Sequence, residues 1–389
     1  MGVKMKKLIY LVLILSLFLF CGPKQEKVER IMEDGVEVVV NHIEPYRIKG
    51  EPSTFTLEEE FVIDLERDDI AEVGLTEIQD FAVDSAGNIY FSDSNSKENL
   101  IFKFDAQGNH IKSFCLKGQG PGELPGAPMM MFTENDELMA YSGMKLLLFE
   151  PDGALLREVK TNLKNTSGAT CLDNGNYLCL IIRYPEEWTD NTIHMIMLYD
   201  SQFNEIKELD RIETFPMVAQ RIKGIRHNIL AEVSCGKIFT GSQQRDYEIY
   251  VYDFSGNLIK KIRKDYINVP PSEEYKERFL GMFKSNPSVY EAAKKKIYFP
   301  SSLPPFHYFL TDEKGRLYVM TYEKGINPGE YMFDIFNPEG IFVGRKSLKG
   351  FSILEMLPLN IKIRNDHFYY IEEKESGFRQ VKVYKMKWK

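Results

Sequence analysis

Residues Asp84-Ser85-Ala86-Gly87-Asn88-Ile89-Tyr90-Phe91-Ser92-Asp93, followed by Ile101-Phe102-Lys103-Phe104-Asp105-Ala106-Gln107-Gly108, decide how the rest of the chain is read. Each half joins a polar turn to a strand-like run. Glycine supplies the positive φ that a hairpin needs, and the aspartate side chain bonds its own turn backbone, so the chain reverses and starts a new strand. The pattern has two beats, and both recur. The first returns at Glu134-Asn135-Asp136, Asp173-Asn174-Gly175, Ser234-Cys235-Gly236, Asp312-Glu313-Lys314-Gly315 and Arg364-Asn365-Asp366. The second returns at 149–153, 252–256 and 336–340, with a degenerate copy at 199–204. Two hairpins make a four-stranded module, and modules of roughly 40–50 residues with this content read as propeller blades.

Six modules follow, at about 76–117, 127–162, 167–214, 227–265, 305–349 and 357–386. The last has only three strand-like runs, at 359–363, 368–372 and 379–386. An alternating segment, Phe55, Leu57, Phe61 and Ile63, precedes the first full module. A ring with separate ends leaves an unpaired edge at its seam. Pairing residues 55–65 with the carboxy-terminal strand supplies the missing place and closes six blades. The predicted fold is therefore all-β, a six-bladed β-propeller with an amino-terminal strand in the last blade. Between blades four and five the spacing is too long: about 270–305 carries Tyr275, Phe279, Met282 and Phe283 at helical intervals after Ser272, with a second helix predicted near 288–296. This insert reads either as an apolar stripe sealed onto the ring or as a lid.

The amino terminus has its own logic. Lys4, Lys6 and Lys7 precede an apolar run over 8–20, broken only by Ser16 and too short to span a bilayer comfortably. Residues 1–20 read as a signal peptide. Cys21 follows at once with Gly22-Pro23-Lys24, which resembles the lipobox of bacterial lipoproteins, where the cysteine is diacylated and becomes amino-terminal; Leu19 and Phe20 are bulkier than that pattern favours. Residues 21–34, charged and poor in aromatics, read as a lipid-attached tether, and 35–389 as the propeller domain. Within it 35–41 predict a short strand and 42–54 a surface connection.

Removing residues 1–20 takes away three lysines and no acid, carrying the formal charge from −8 to −11. That argues against nucleic acid or an anionic membrane surface as the main partner, since both demand a basic face, and the expectation is no nucleic acid. Cys115, Cys171, Cys179 and Cys235 allow three pairings in an exported chain; buried free thiols are the equal alternative. No zinc-ligand spacing and no Gly-x-Ser-x-Gly motif occurs. Gly118-Gln119-Gly120-Pro121-Gly122-Glu123 lacks the Lys-Ser/Thr of a phosphate loop and reads as a tight inter-blade turn.

The stretches 84–93 and 101–108, with Gly118–Glu123 after them, resemble an NHL-type repeat, and more narrowly the bacterial six-bladed propeller lipoproteins; 298–306 leading into 312–318 is similar to the penultimate region of that group. The resemblance implies an exported, lipid-anchored propeller in the bacterial cell envelope, facing the periplasm or the exterior, in a family mostly without assigned activity.

Propeller topology sorts the candidate residues. Turns between first and second, and third and fourth, strands share one face; the opposite face gathers links between second and third strands and between blades, and ligands usually use that face. There the sequence offers Arg183, Arg221, Arg226 and Arg245 as guanidinium forks, Trp188 and Tyr322 for stacking, and His227 and His307 near the inner strands. Asp84, Asp105, Asp253 and Asp312 fall on the other face as turn formers. The reading favours a monomeric binding or interaction module, without a cofactor, for a protein or a small anionic or carbohydrate ligand. The alternative is a metal-assisted lyase or lactonase with a channel cation such as calcium.

Overall fold

The computed structural model describes residues 28–389 apart from 162, 188–190, 215–220, 226 and 350–360. Six four-stranded antiparallel sheets follow one another around a ring. Blade 1 runs Asp80–Val83, Ile89–Ser92, Asn99–Phe104, His110–Leu116. Blade 2 is Met129–Phe132, Leu138–Ser142, Lys145–Phe149, Leu155–Lys160, and blade 3 is Thr166–Cys171, Tyr177–Arg183, Thr192–Tyr199, Glu205–Thr214. Blade 4 is Ile229–Ser234, Lys237–Ser242, Glu248–Asp253, Leu258–Lys264, and blade 5 is Tyr308–Thr311, Leu317–Lys324, Glu330–Phe336, Phe342–Lys349. Blade 6 contributes Ile361–Arg364, His367–Glu373 and Arg379–Trp388, and its fourth strand is Phe55–Asp64, antiparallel to the last. The ring closes as predicted.

Propeller strands read as almost continuous apolar runs because both faces of each sheet are covered. In blade 1 Phe81, Val83, Ile89 and Phe91 join the cluster shared with blade 6, whereas Ala82 and Tyr90 join the one shared with blade 2. The other four interfaces between neighbouring blades have clusters of the same kind. Cys115 and Cys179 are buried in two of them, and all four thiols are free. Burial pushes the Cys179 thiol up to about 12, so it packs as a small apolar group.

The turns are built as read. Asp84 accepts from the amides of Ala86 and Asn88 at 3.0 and 2.7 Å, and Asp105, Asp253 and Asp312 accept equivalent pairs at 2.8–3.0 Å. Asp200 does the same for Gln202 and Asn204 in the degenerate copy.

Two elements depart from expectation. Residues 29–33, read as tether, form a strand, Glu29–Glu33, in a hairpin with Val36–Asn41, which pairs in parallel with the outer strand of blade 4. Blade 4 thereby has six strands. The reason lies far along the chain: Arg263 and Lys261 on that outer strand bond Glu33 at 2.8–3.2 Å. A short helix, α1 (Asp68–Glu72), also lies before blade 1, with Ile70 buried in the interface with blade 6.

The insert holds α2 (Glu273–Gly281), capped by the Ser272 hydroxyl, and α3 (Pro287–Lys296), capped by Asn286. Tyr275 and Phe279 pack with Ile225, Leu303 and Tyr322 of the ring. The insert is a sealed element of the domain rather than an open flap. A two-residue parallel ladder pins it, Ile222 to Ile297 and Lys223 to Tyr298.

Candidate functional site: the face of inter-blade links

Every first strand runs from the link face to a hairpin on the turn face. At the turn face these hairpins lock together. Ser85 of blade 1 bonds Asp136 of blade 2 through its amide and hydroxyl at 2.9 and 2.7 Å. Arg364 of blade 6 reaches past blade 1 to the same aspartate at 3.3 Å. The Glu134 carboxylate of blade 2 accepts the Gly236 amide of blade 4, and Glu313 of blade 5 accepts the Asn365 amide of blade 6 at 3.0 Å. Bonds between blades that are not neighbours pass near the axis, so polar cross-links bar the centre on this side. Asp173 lies in the same mesh; burial and then the neighbouring Glu134 carboxyl push it up to about 6.

Inside the ring the innermost strands bring together charges that the sequence reading did not single out. Asp80, 2% exposed, accepts the Met130 amide at 2.7 Å on one oxygen, and its other oxygen has no partner. The Tyr308 hydroxyl donates to Glu232 at 2.7 Å. Burial raises both carboxyls above their usual range, and the Lys362 ammonium is the cation that opposes the rise at each. Two carboxyls and one lysine neutralise each other in part; they do not make a cation shell. Among the described residues no group of three or more His, Cys, Asp or Glu is placed to hold a metal ion.

The structure places the described members of the predicted site set as follows. Arg245 grips Asp210 of blade 3 with both terminal nitrogens, at 2.6 and 2.7 Å, and lies 4.1 Å over the Tyr250 ring. His307 is buried with its ring against Tyr322, and Tyr322 is itself buried under α2. His227 contacts the Gln243 carbonyl oxygen at 3.0 Å, and burial lowers its imidazole. The Gln243 amide in turn donates to the His307 carbonyl at 2.5 Å, so His227, Gln243 and His307 form one brace between blades 4 and 5. Arg183 and Arg221 are exposed; Arg221 stacks 4.6 Å over Tyr298. Trp188, Arg226 and Cys21 lie outside the described residues. No common cleft of guanidinium groups forms from the members that are described.

What the link face does present includes single apolar tips. The loops between second and third strands expose Met144 in blade 2, Tyr184 in blade 3, Ile326 in blade 5 and Phe378 in blade 6, at 59, 61, 85 and 46%. Ile267, just before the insert, and Tyr298 within it are exposed as well. The ladder that pins the insert also gathers Arg221, Lys223, Lys294, Lys295 and Lys296. Hairpin tips on the turn face are polar by contrast, as with Ser85, Asn135 and Asn174. A single large apolar residue in a Gly- and Pro-rich loop, as in Gly325-Ile326-Asn327-Pro328-Gly329, was the signal available in the sequence.

The family model described as a 6-bladed beta-propeller, DUF5128, matches residues 56–280. The chain belongs to this propeller family. Among solved structures it is similar to a Bacteroides fragilis protein named as a candidate for export, with 15% identity, a TM-score of 0.51, and coverage of 90% of this chain and 99% of that one. A member of the DUF4221 family from Bacteroides vulgatus is similar too, at 12% identity and a TM-score of 0.50, covering 87% of this chain and all of the other. At such identities the likeness shows the fold alone. Comparison with the curated proteins gives no match.

Proposed function

We propose that this propeller works outside the cytoplasm as a lipid-tethered interaction module that engages its partner through the link face. The exposed apolar tips of four blades carry the reading, since they project from the loops of the face on which propellers usually bind their ligands. The tether rests on Lys4, Lys6 and Lys7, the short apolar run and Cys21; the name of one structural relative, a candidate for export, agrees with a place outside the cytoplasm. Among the described residues no helix is long and apolar enough to cross a membrane. The lyase or lactonase alternative gains nothing from the channel, where Lys362 stands among the acids.

The test has two readings. Intact mass of membrane-extracted protein is expected to start at an acylated Cys21, and Cys21→Ser is expected to lose that mass. In whole cells, a diazirine side chain placed at 326 or 144 is expected to give cross-linked adducts, and one at 135 on the turn face none. Adducts from 135 alone would move the working surface to the opposite face.

A further inference from the structure

We infer that the partner of the link face is the surface of the lipid bilayer, so that the propeller lies on its membrane with the turn face outward; this rests on the tethered-module reading above. Three observations carry it. First, the chain enters the ring on this face. Glu29 pairs with Val40, and Asn41 pairs with Lys264 at the end of blade 4's outer strand, where that strand leaves the turn face behind and arrives at the link face. Only residues 22–28 separate Cys21 from this entry, seven residues that reach about 25 Å when fully extended. An acyl chain on Cys21 therefore holds the link-face rim of blade 4 close to the headgroups.

Second, the exposed apolar side chains are arranged for lipid. Met144, Tyr184, Ile326 and Phe378 stand singly on loops of four different blades rather than as one continuous patch. Separate protruding hydrophobes suit shallow insertion into the interfacial layer, where Tyr and Phe are at home. Third, the charge is local and of the right sign. In a chain of formal charge −8, Arg221, Lys223, Lys294, Lys295 and Lys296 come together where the insert is pinned, with Tyr298 exposed between them. Lysines on a face apposed to anionic headgroups are attracted within a Debye length, and the acidity of the rest of the chain does not cancel that at contact. The whole-chain charge, which argues against anionic membranes, misses this local concentration.

The experiment uses full-length acylated protein in vesicles that contain only lipid, either phosphatidylcholine or phosphatidylcholine with phosphatidylglycerol. A diazirine side chain at 144, 326 or 378 is expected to capture phospholipid at least fivefold more than one at 135, most strongly in the anionic vesicles. The triple variant Lys294→Glu, Lys295→Glu, Lys296→Glu is expected to erase the anionic preference while leaving capture in phosphatidylcholine in place. Equal capture at 326 and 135 overturns the inference. If the cell-based adducts at 326 are protein and the vesicles give none, the face remains an interaction surface and the bilayer is not its partner. Absence of the acyl group shows separately, in the intact mass, and removes the tether; the labelling comparison repeated with saturating anionic vesicles then still decides the face.

Discussion

Asp80 sits at the head of an innermost strand, buried and half-satisfied, with Lys362 as its compensating charge. Its carboxyl is raised, so the native state holds a proton that the unfolded chain gives up first, and stability falls as pH rises from the unfolded value of about 4 through the higher folded one. Asp80→Asn keeps an acceptor for the Met130 amide and deletes the charge. Its melting temperature is expected to match the parent near pH 4 and to exceed it increasingly toward pH 8. Lys362→Met is expected to do the reverse, losing about 3–5 kcal/mol at pH 8, the usual size for leaving a buried charge uncompensated, and much less at pH 4. Parallel pH profiles for parent and variants would refute the pairing. The same contrast explains what the sequence shows at this scale. Asp84 and Asp253 are legible as turn formers because the amides they bind lie two and four residues away. Arg245 reads as a free fork because its partner, Asp210, belongs to another blade, and Asp80, Glu232 and Lys362 are ordinary strand residues until the ring sets them side by side.

Hairpin 29–41 shows how an element hides in composition. Glu29-Arg30-Ile31-Met32-Glu33 has the charge of a solvated linker, and becomes a strand because Arg263 and Lys261 wait on blade 4. The hydrogen bond from Arg263, reinforced by Lys261, holds the Glu33 carboxyl down at about 2. A lowered carboxyl contributes attachment that is complete above the unfolded value near 4.5 and is lost as pH falls through about 2. Amide exchange at Val38–Val40, corrected for intrinsic rates, is expected to be protected in the parent at pH 7 and to accelerate across that acid window. Glu33→Gln is expected to exchange faster already at pH 7; identical protection in both would mean that backbone pairing alone docks the hairpin. The insert was legible for the opposite reason. Tyr275 and Phe279 recur at helical spacing behind a serine cap, a signal held within one short segment, though which part of the ring they cover was not.

At the scale of the molecule, closure depends on one strand. Phe55–Asp64 pairs with Arg379–Trp388 over its whole length, and its two ends feed different interfaces: Phe55 packs between blades 5 and 6, Ile63 between blades 6 and 1. Deleting residues 55–64 is expected to cost several kcal/mol, a large part of the 5–15 kcal/mol or so typical of a domain, and to split or broaden denaturant unfolding. One unchanged cooperative transition would show that the blades hold without the strand. The blade count and this closure were readable because a module repeated six times states its own number and leaves its missing strand conspicuous. The tilt of charge and apolar tips toward one face was not, since it sums single residues from loops that have no sequence pattern in common.

That pairing also sets an order in time. A chain made from its amino end releases Phe55 long before Trp388, so the partner of the first ring strand does not exist until the other five blades have been made. Until then blades 1–5 form an open arc with bare apolar sides at both ends, the kind of surface that chaperones and proteases recognise. A product that stops before Arg379 leaves that arc without its closing pair, so the strand Arg379–Trp388 acts as a check that all six blades have been delivered.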